Sequence, residues 1–239
     1  MMGAGPILLS VLIPTLLSRA DSLKALTGKL RQQITDNGLD REVEILELAD
    51  SGELPTGTKR NMLMARASGA FLVCVDDDDD VHERYIPLIV EVLRTHPDID
   101  CIGIKGRITF AGRSPRIFIY SNRYREYSSR RGVYERPPHH LNPIRASIAR
   151  RFPFEPVRKC EDSDWAMRLS KAGALRNEVF LDEILYHYRC RRECWYQNLL
   201  DRTEFFRHPL GLYWFNRFRL KRWVQSLIAR PEKRPGRQR

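Results

Sequence analysis

Residues 71–80 read Phe-Leu-Val-Cys-Val-Asp-Asp-Asp-Asp-Asp. The first five are apolar and compose a buried strand of the kind found in parallel sheets. Five carboxylates follow with no residue between. Like unit charges ~4 Å apart repel by about 4 kcal/mol at an effective dielectric near 20, so the run asks for a cation. A hard divalent ion with oxygen ligands removes the cost and keeps open positions for phosphate oxygens. The bland alternative is a solvated acidic loop. Placement at the carboxyl end of a strand favours a site, because ligands of open α/β sheets bind there.

Working outward, residues 7–13 (ILLSVLI, closed by Pro14) and 42–48 (EVEILEL) predict two more strands. Between them Leu23, Leu26, Leu30 and Ile34 recur at helical spacing, and Asn37-Gly38 ends that helix. A second helix is expected over 57–67, a third over 85–94 and a fourth strand over 102–108. Strand and helix alternating in this way imply a parallel sheet with right-handed crossovers. Asp50 and the aspartate run then face one crevice. Residues 109–140, rich in Arg, Tyr, Ser and Pro, read as loops and a hairpin over the site. Residues 144–152 and 164–172 read as helices, and 179–188 ends in a strand.

The chain has 239 residues, 42% of them hydrophobic, which excludes wholesale disorder. Its net charge of +11 is uneven. Nine Lys/Arg against Glu232 in residues 217–239 contribute +8, so the body is mildly basic and the tail carries the field. That tail, and an insert that interleaves Arg123, Arg125, Arg130, Arg131 and Arg136 with Tyr120, Tyr124, Tyr127 and Tyr134, suit a polyanion such as DNA or an anionic membrane. The five cysteines (74, 101, 160, 190, 194) contain no CxxC and fit a reducing, cytoplasmic setting, in a bacterium or a virus-infected host cell, with peripheral membrane attachment open. His187 with Cys190 and Cys194 falls short of a zinc set. No stretch is apolar and long enough to span a bilayer.

These motifs, in this order, resemble family 2 glycosyltransferases of the GT-A fold. The matching elements are Ile13-Pro14-Thr15, Ala49-Asp50-Ser51, Gly57 to Asn61 with Ala67-Ser68-Gly69, Val75 to Asp79, Glu161-Asp162 ahead of Asp164 to Leu169, and Tyr186-His187-Tyr188. The likeness covers about residues 7–190, and Cys160 stands where the family usually has Gly. It implies an α/β, Rossmann-like, mostly parallel sheet flanked by helices over residues 1–190. Residues 191–239 would add a basic, aromatic helical extension with a disordered tail. It also implies inverting transfer from a nucleotide-diphosphate sugar, most often a UDP-sugar, to an acceptor hydroxyl, with Mn²⁺ or Mg²⁺.

Within that resemblance Asp162 is the catalytic base and Glu161 its positioning neighbour. Donor contacts fall on Pro14, Thr15, Asp50, Lys59, Arg60, Asn61, Asp76 and Asp77. Metal ligation falls on Asp76, Asp78 and His187, with Asp77 and Asp79 shaping the turn and Asp80 facing solvent. His140, Asn142 and Trp165, with His139, are acceptor candidates. The acceptor is a glycan or lipid-linked saccharide, or a hydroxymethylated base in DNA as in viral DNA modification. An inactive GT-A-like sugar- or polyanion-binding protein is the alternative. A nucleotidyltransferase would want a Gly-rich phosphate loop near the first strand, and residues 12–21 hold none.

Overall fold

The computed structural model describes residues 6–110 and 112–190, all within one compact unit, Met1–Glu193. The expected C-terminal extension lies outside the described residues, as does Cys194.

Strand β1 (Leu9–Leu16) leads through a 3-10 turn (Leu17–Arg19) into helix α1 (Ala20–Asp36), then β2 (Val43–Asp50), α2 (Thr56–Arg66) and β3 (Phe71–Cys74). The aspartates run into a two-residue strand, β4 (Asp80–Val81), followed by α3 (Tyr85–Thr95) and β5 (Cys101–Phe110). The insert forms β6 (Arg113–Tyr120), β7 (Ser128–Arg130) and β8 (Val133–Arg136). After it come β9 (Ile144–Arg145), α4 (Ala146–Ala149), α5 (Glu161–Lys171) and β10 (Glu178–Cys190).

The sheet order is β2-β1-β3-β9-β5-β6-β8-β7, and β10 pairs with both β5 and β4. β1 is parallel to β2 and β3, and β10 to β5. β9 is antiparallel to both β3 and β5, so those two point the same way. The α/β architecture, a sheet flanked by helices with its first three strands parallel, is as expected, and β4, β6, β7 and β9 add antiparallel pairs. The segment 144–152, read as a helix, is corrected to a two-residue strand and a four-residue helix. Ile144 reaches across to Leu72 and Cys101 and closes the gap between the third and fifth strands.

Alternation along the strands builds two cores. Leu9, Val11 and Ile13 of β1 and Phe71 and Val73 of β3 turn to one side, where Leu26, Leu30 and Ile34 of α1 and Ile86 and Ile89 of α3 cover them. Leu12, Leu72 and Cys74 turn to the other, against Leu63 and Met64 of α2 and Trp165 and Leu169 of α5. Both faces are therefore dry, which is why these strands read as unbroken apolar runs. Among the described residues no helix is long and apolar enough to cross a membrane.

Candidate active site

β1, β2 and β3 end side by side, with Leu16 opposite Asp50. Thr15, buried at the end of β1, donates from its hydroxyl to Asp77 Oδ2 (2.5 Å). Its carbonyl accepts from Lys59 Nζ (2.6 Å), and the same ammonium is ion-paired with Asp50. Leu54 N–H donates to the other Asp50 oxygen (2.7 Å). Asp50's carboxyl is held below its usual range by Lys59 and this N–H. This donor-contact candidate is thus ionised and fixed by two local partners. Pro14 lies beyond Leu12, the last β1 residue paired with β3, where a missing N–H costs the ladder little.

α2 begins close to the loop before α5. A Cβ on Gly57 would overlap the Glu155 carbonyl oxygen, so only glycine admits this approach. The approach carries Arg60 into the centre of the site. Its Nη2 donates to Asp76 Oδ1 (2.8 Å) and its Nη1 to Glu161 Oε1 (2.7 Å), while the guanidinium stands 5.5 Å over the Phe154 ring. Arg60 is 2% exposed. Burial opposes its charge, but Asp76, Asp162 and Glu161 outweigh that and raise its pKa. The adjacent Asn61 is structural: its amide donates to the Phe154 carbonyl and accepts from the Phe154 N–H, both at 2.8 Å.

Each member of the aspartate run has its own partners. Asp76 has Arg60 and His140, whose Nε2 lies 3.3 Å from Oδ2. Burial would raise its pKa, but these two neighbours hold it well below the ordinary carboxylate range. Asp77 is buried and takes Thr15 and Arg19 Nη1 (2.8 Å). Asp78 lies 3.2 Å from the same Arg19 nitrogen. Asp79 accepts from Tyr186 Oη (2.9 Å) and Arg189 N–H (2.8 Å). Burial and the charge of Asp76 push it up to about 8, so it carries its proton near neutral pH. Asp80, expected to face solvent, is instead paired with Lys29 and Arg189. Lysine and arginine side chains therefore meet much of the repulsion that the sequence left to a bound cation. What remains shows in the raised pKa of Asp79. The Asp76 and Asp78 side chains keep 28% and 26% of their surface exposed, and carboxylate oxygens are the hard donors that Mg²⁺ and Mn²⁺ prefer.

His187 sits opposite Asp80 in the β4–β10 ladder, and its Nδ1 lies 3.1 Å from Arg107 Nη2. Burial and Arg107 lower its pKa, so the ring is neutral. Arg107 then donates to Nδ1 and the ring proton sits on Nε2, which leaves no lone pair for an ion in this arrangement.

α5 opens with Glu161 and Asp162 in its first turn, where its dipole favours negative charge. Asp162 Oδ1 accepts the Ser163 N–H (2.6 Å), which leaves Oδ2 aimed at the two histidines. His139 Nε2 and His140 Nδ1 lie 3.6 and 3.8 Å from it. Burial raises the pKa of Asp162, but these histidines and Arg60 bring it down to about 2. Burial raises that of Glu161. Asn142 and Trp165 are committed to the fold. Asn142 is 1% exposed, accepts from His139 N–H and donates to the carbonyls of Ile102 and Tyr120. Trp165 is 3% exposed, stacks on Phe154 at 4.7 Å and donates to the Phe152 carbonyl.

Compared with models of known families and with curated proteins, the sequence matches none. Solved structures do match. S. aureus TarS 1-349 in complex with UDP-GlcNAc superposes with a TM-score of 0.52 at 16% identity, over 77% of this chain and 58% of that one. Its complex with UDP gives the same score and identity over 77% and 60%. The chain has the GT-A fold. It spans about three fifths of the length of those TarS structures. The loops after β1, β2 and β3 and the start of α5 bring Thr15, Asp50, Asp76 to Asp78 and Asp162 together through Arg19, Lys59, Arg60 and His140.

Arg19 and Tyr186 are among the partners that the sequence did not reveal. Arg19 reaches Asp77 and Asp78 from 58 and 59 residues away, and Tyr186 reaches Asp79 from 107. A lone arginine after a strand carries no local signal of such a role. Tyr186, next to the histidine that drew attention, could have been found only by pairing β10 with β4.

Proposed function

We propose that this chain is an inverting glycosyltransferase that takes a sugar from a nucleotide diphosphate, in the first instance a UDP-sugar. Asp50 and Thr15 receive the nucleoside, Asp76 and Asp78 the metal-bound diphosphate, and Asp162 the acceptor. One observation supports this most: Arg60 ties Asp76, in the acidic run, to Glu161, next to Asp162. The carboxylates needed by donor and acceptor are thereby joined through a single guanidinium.

Asp162 Oδ2 accepts the proton of the acceptor hydroxyl as that oxygen attacks the anomeric carbon. The sugar–phosphate bond breaks on the opposite face through an oxocarbenium-like state. Its pKa near 2 keeps Asp162 ionised throughout the neutral range. The Ser163 N–H fixes the carboxylate through the other oxygen. Arg60 and Glu161 hold Asp76 and the start of α5 in register. Asp76 and Asp78 would hold a divalent cation, and such an ion would supply charge neutralisation for the departing diphosphate.

A saccharide or lipid-linked glycan is the first choice of acceptor. A hydroxylated DNA base is the second, because Arg123, Arg125, Arg130 and Arg131 are exposed. Three of the interleaved tyrosines do not present stacking faces: Tyr120 and Tyr134 are buried, and Arg136 packs over Tyr127 and Tyr134. A DNA acceptor predicts binding that weakens steeply with salt, and no retention on DNA at low salt removes it.

The test is turnover on a panel of nucleotide sugars with Mn²⁺, with the anomeric configuration of the product read by NMR. Asp162→Asn lowers turnover by about 10²–10⁴-fold and leaves donor binding in place. Retained configuration, or full turnover in that variant, overturns the reading.

A further inference from the structure

Two buried histidines remain unexplained by sugar transfer. His139 and His140 are 3% and 5% exposed, side by side, with ring centroids 4.4 Å apart. Three of their four ring nitrogens, His139 Nδ1 and Nε2 and His140 Nδ1, are buried without a hydrogen-bond partner. A buried polar atom left so costs about 1–3 kcal/mol, and an ordinary core histidine avoids it. The fourth nitrogen, His140 Nε2, meets Asp76.

His140 Nδ1 faces Asp162 Oδ2 across 3.8 Å, and His139 Nε2 faces the same oxygen at 3.6 Å. Two ring nitrogens, each of which offers a lone pair in one neutral tautomer, and one carboxylate oxygen thus converge. One donor atom from each residue can be chosen so that all lie within 4.8 Å of one another. Ligands bound at about 2.0–2.1 Å with tetrahedral angles lie roughly 3.4 Å apart, so the three groups must draw together from a spread of up to 4.8 Å to hold an ion. The Asp76–His140 contact is the outer carboxylate that orients a metal-binding imidazole.

We propose that His139 Nε2, His140 Nδ1 and Asp162 Oδ2 form a site for a borderline transition-metal ion of the zinc or cobalt type, separate from the oxygen site at Asp76 and Asp78. Two imidazoles and one carboxylate favour such ions over Mg²⁺, Ca²⁺ and Mn²⁺. With Oδ1 held by Ser163, the oxygen that binds the ion is the one that would take the acceptor's proton. Occupation and catalysis then exclude each other, and zinc is an inhibitor. The inhibition rests on the proposed function, whereas the site does not.

The experiment titrates the full, metal-stripped chain with Co²⁺ and reads the visible absorption of tetrahedral cobalt, with Zn²⁺ added afterwards to displace it. The expected result is a one-to-one band, bleached by Zn²⁺. His139→Ala and the shape-preserving Asp162→Asn each weaken it at least tenfold, and Asp78→Ala retains it. Circular dichroism checks that the variants fold. A missing band in the parent chain overturns the site, and so does a band unchanged in both folded variants. Zinc inhibition of sugar transfer that more acceptor relieves and more donor does not is the catalytic counterpart. A band with no transfer on any donor removes the proposed function and leaves the site standing.

Discussion

Arg60 holds the site together at the scale of single residues. It is a buried cation with a carboxylate on each arm, 2.7 and 2.8 Å away. Removing one partner of such a network leaves uncompensated charge, which costs about 3–5 kcal/mol. Arg60→Ala is therefore expected to lower the unfolding free energy by that order in urea titration. Arg60→Lys is expected to recover little, because one ammonium cannot span both carboxylates. Full stability in the lysine variant would show that the bridge is not structural. Asp50, the aspartate run and the Glu161-Asp162 pair were all legible in the sequence, because acids directly after apolar strands or at a helix start carry a local pattern. Of their partners, Lys59, Arg60, His139 and His140 were named as well, whereas others were not. Arg19, Lys29 and Arg189 gain their meaning from contacts 50 to 110 residues distant, and no spacing rule reports those.

At the scale of elements, the start of α5 is strained. Cys160, just before Glu161, has φ of +64°, a left-handed conformation that favours glycine. A side chain there costs roughly 1–2 kcal/mol. Cys160→Gly is expected to raise stability slightly or leave it level, as glycine's entropic cost offsets part of the gain. The check is the denaturant midpoint, and a clear loss of stability would contradict the strain. The sequence pointed here, since glycine is what the resemblance expects at this position. It misread the neighbouring segment 144–152 for a physical reason: a two-residue strand has no period. The apolar residues Ile144, Ala146, Ile148 and Ala149 mimic a helical face while serving a strand, a short helix and one core.

For the whole molecule, the two-sided core was readable from the apolar runs of the first and third strands, whereas the antiparallel β9 between β3 and β5 was not, because strand direction there is decided by pairing and not by composition. Stability should also depend on pH through Glu44, far from the acidic site. Glu44 on β2 accepts from Ser10 Oγ (2.6 Å) on β1 and from Ser68 N–H (2.6 Å) ahead of β3, so one carboxylate joins the first three strands. Burial works to raise its pKa, but the Ser10 and Ser68 hydrogen bonds prevail and lower it below 4.5. A lowered pKa adds stability above the unfolded value, and that stability is lost as pH falls through the folded one. Glu44→Gln is therefore expected to cost on the order of 1 kcal/mol at pH 7. The difference from the parent chain should narrow once the pH drops below 4.5, as followed by thermal unfolding across pH. A gap that widens in acid would reverse the assigned sign.

The central claim is that Asp76 and Asp78 receive a metal-bound nucleotide diphosphate between the loops after the first three strands. The measurement that tests it most directly is the thermal shift given by UDP with and without Mn²⁺, in the parent chain and in Asp78→Ala. A rise in melting temperature that requires Mn²⁺ and vanishes in Asp78→Ala is the predicted result, and an equal rise in that variant, or one indifferent to metal, would contradict the account.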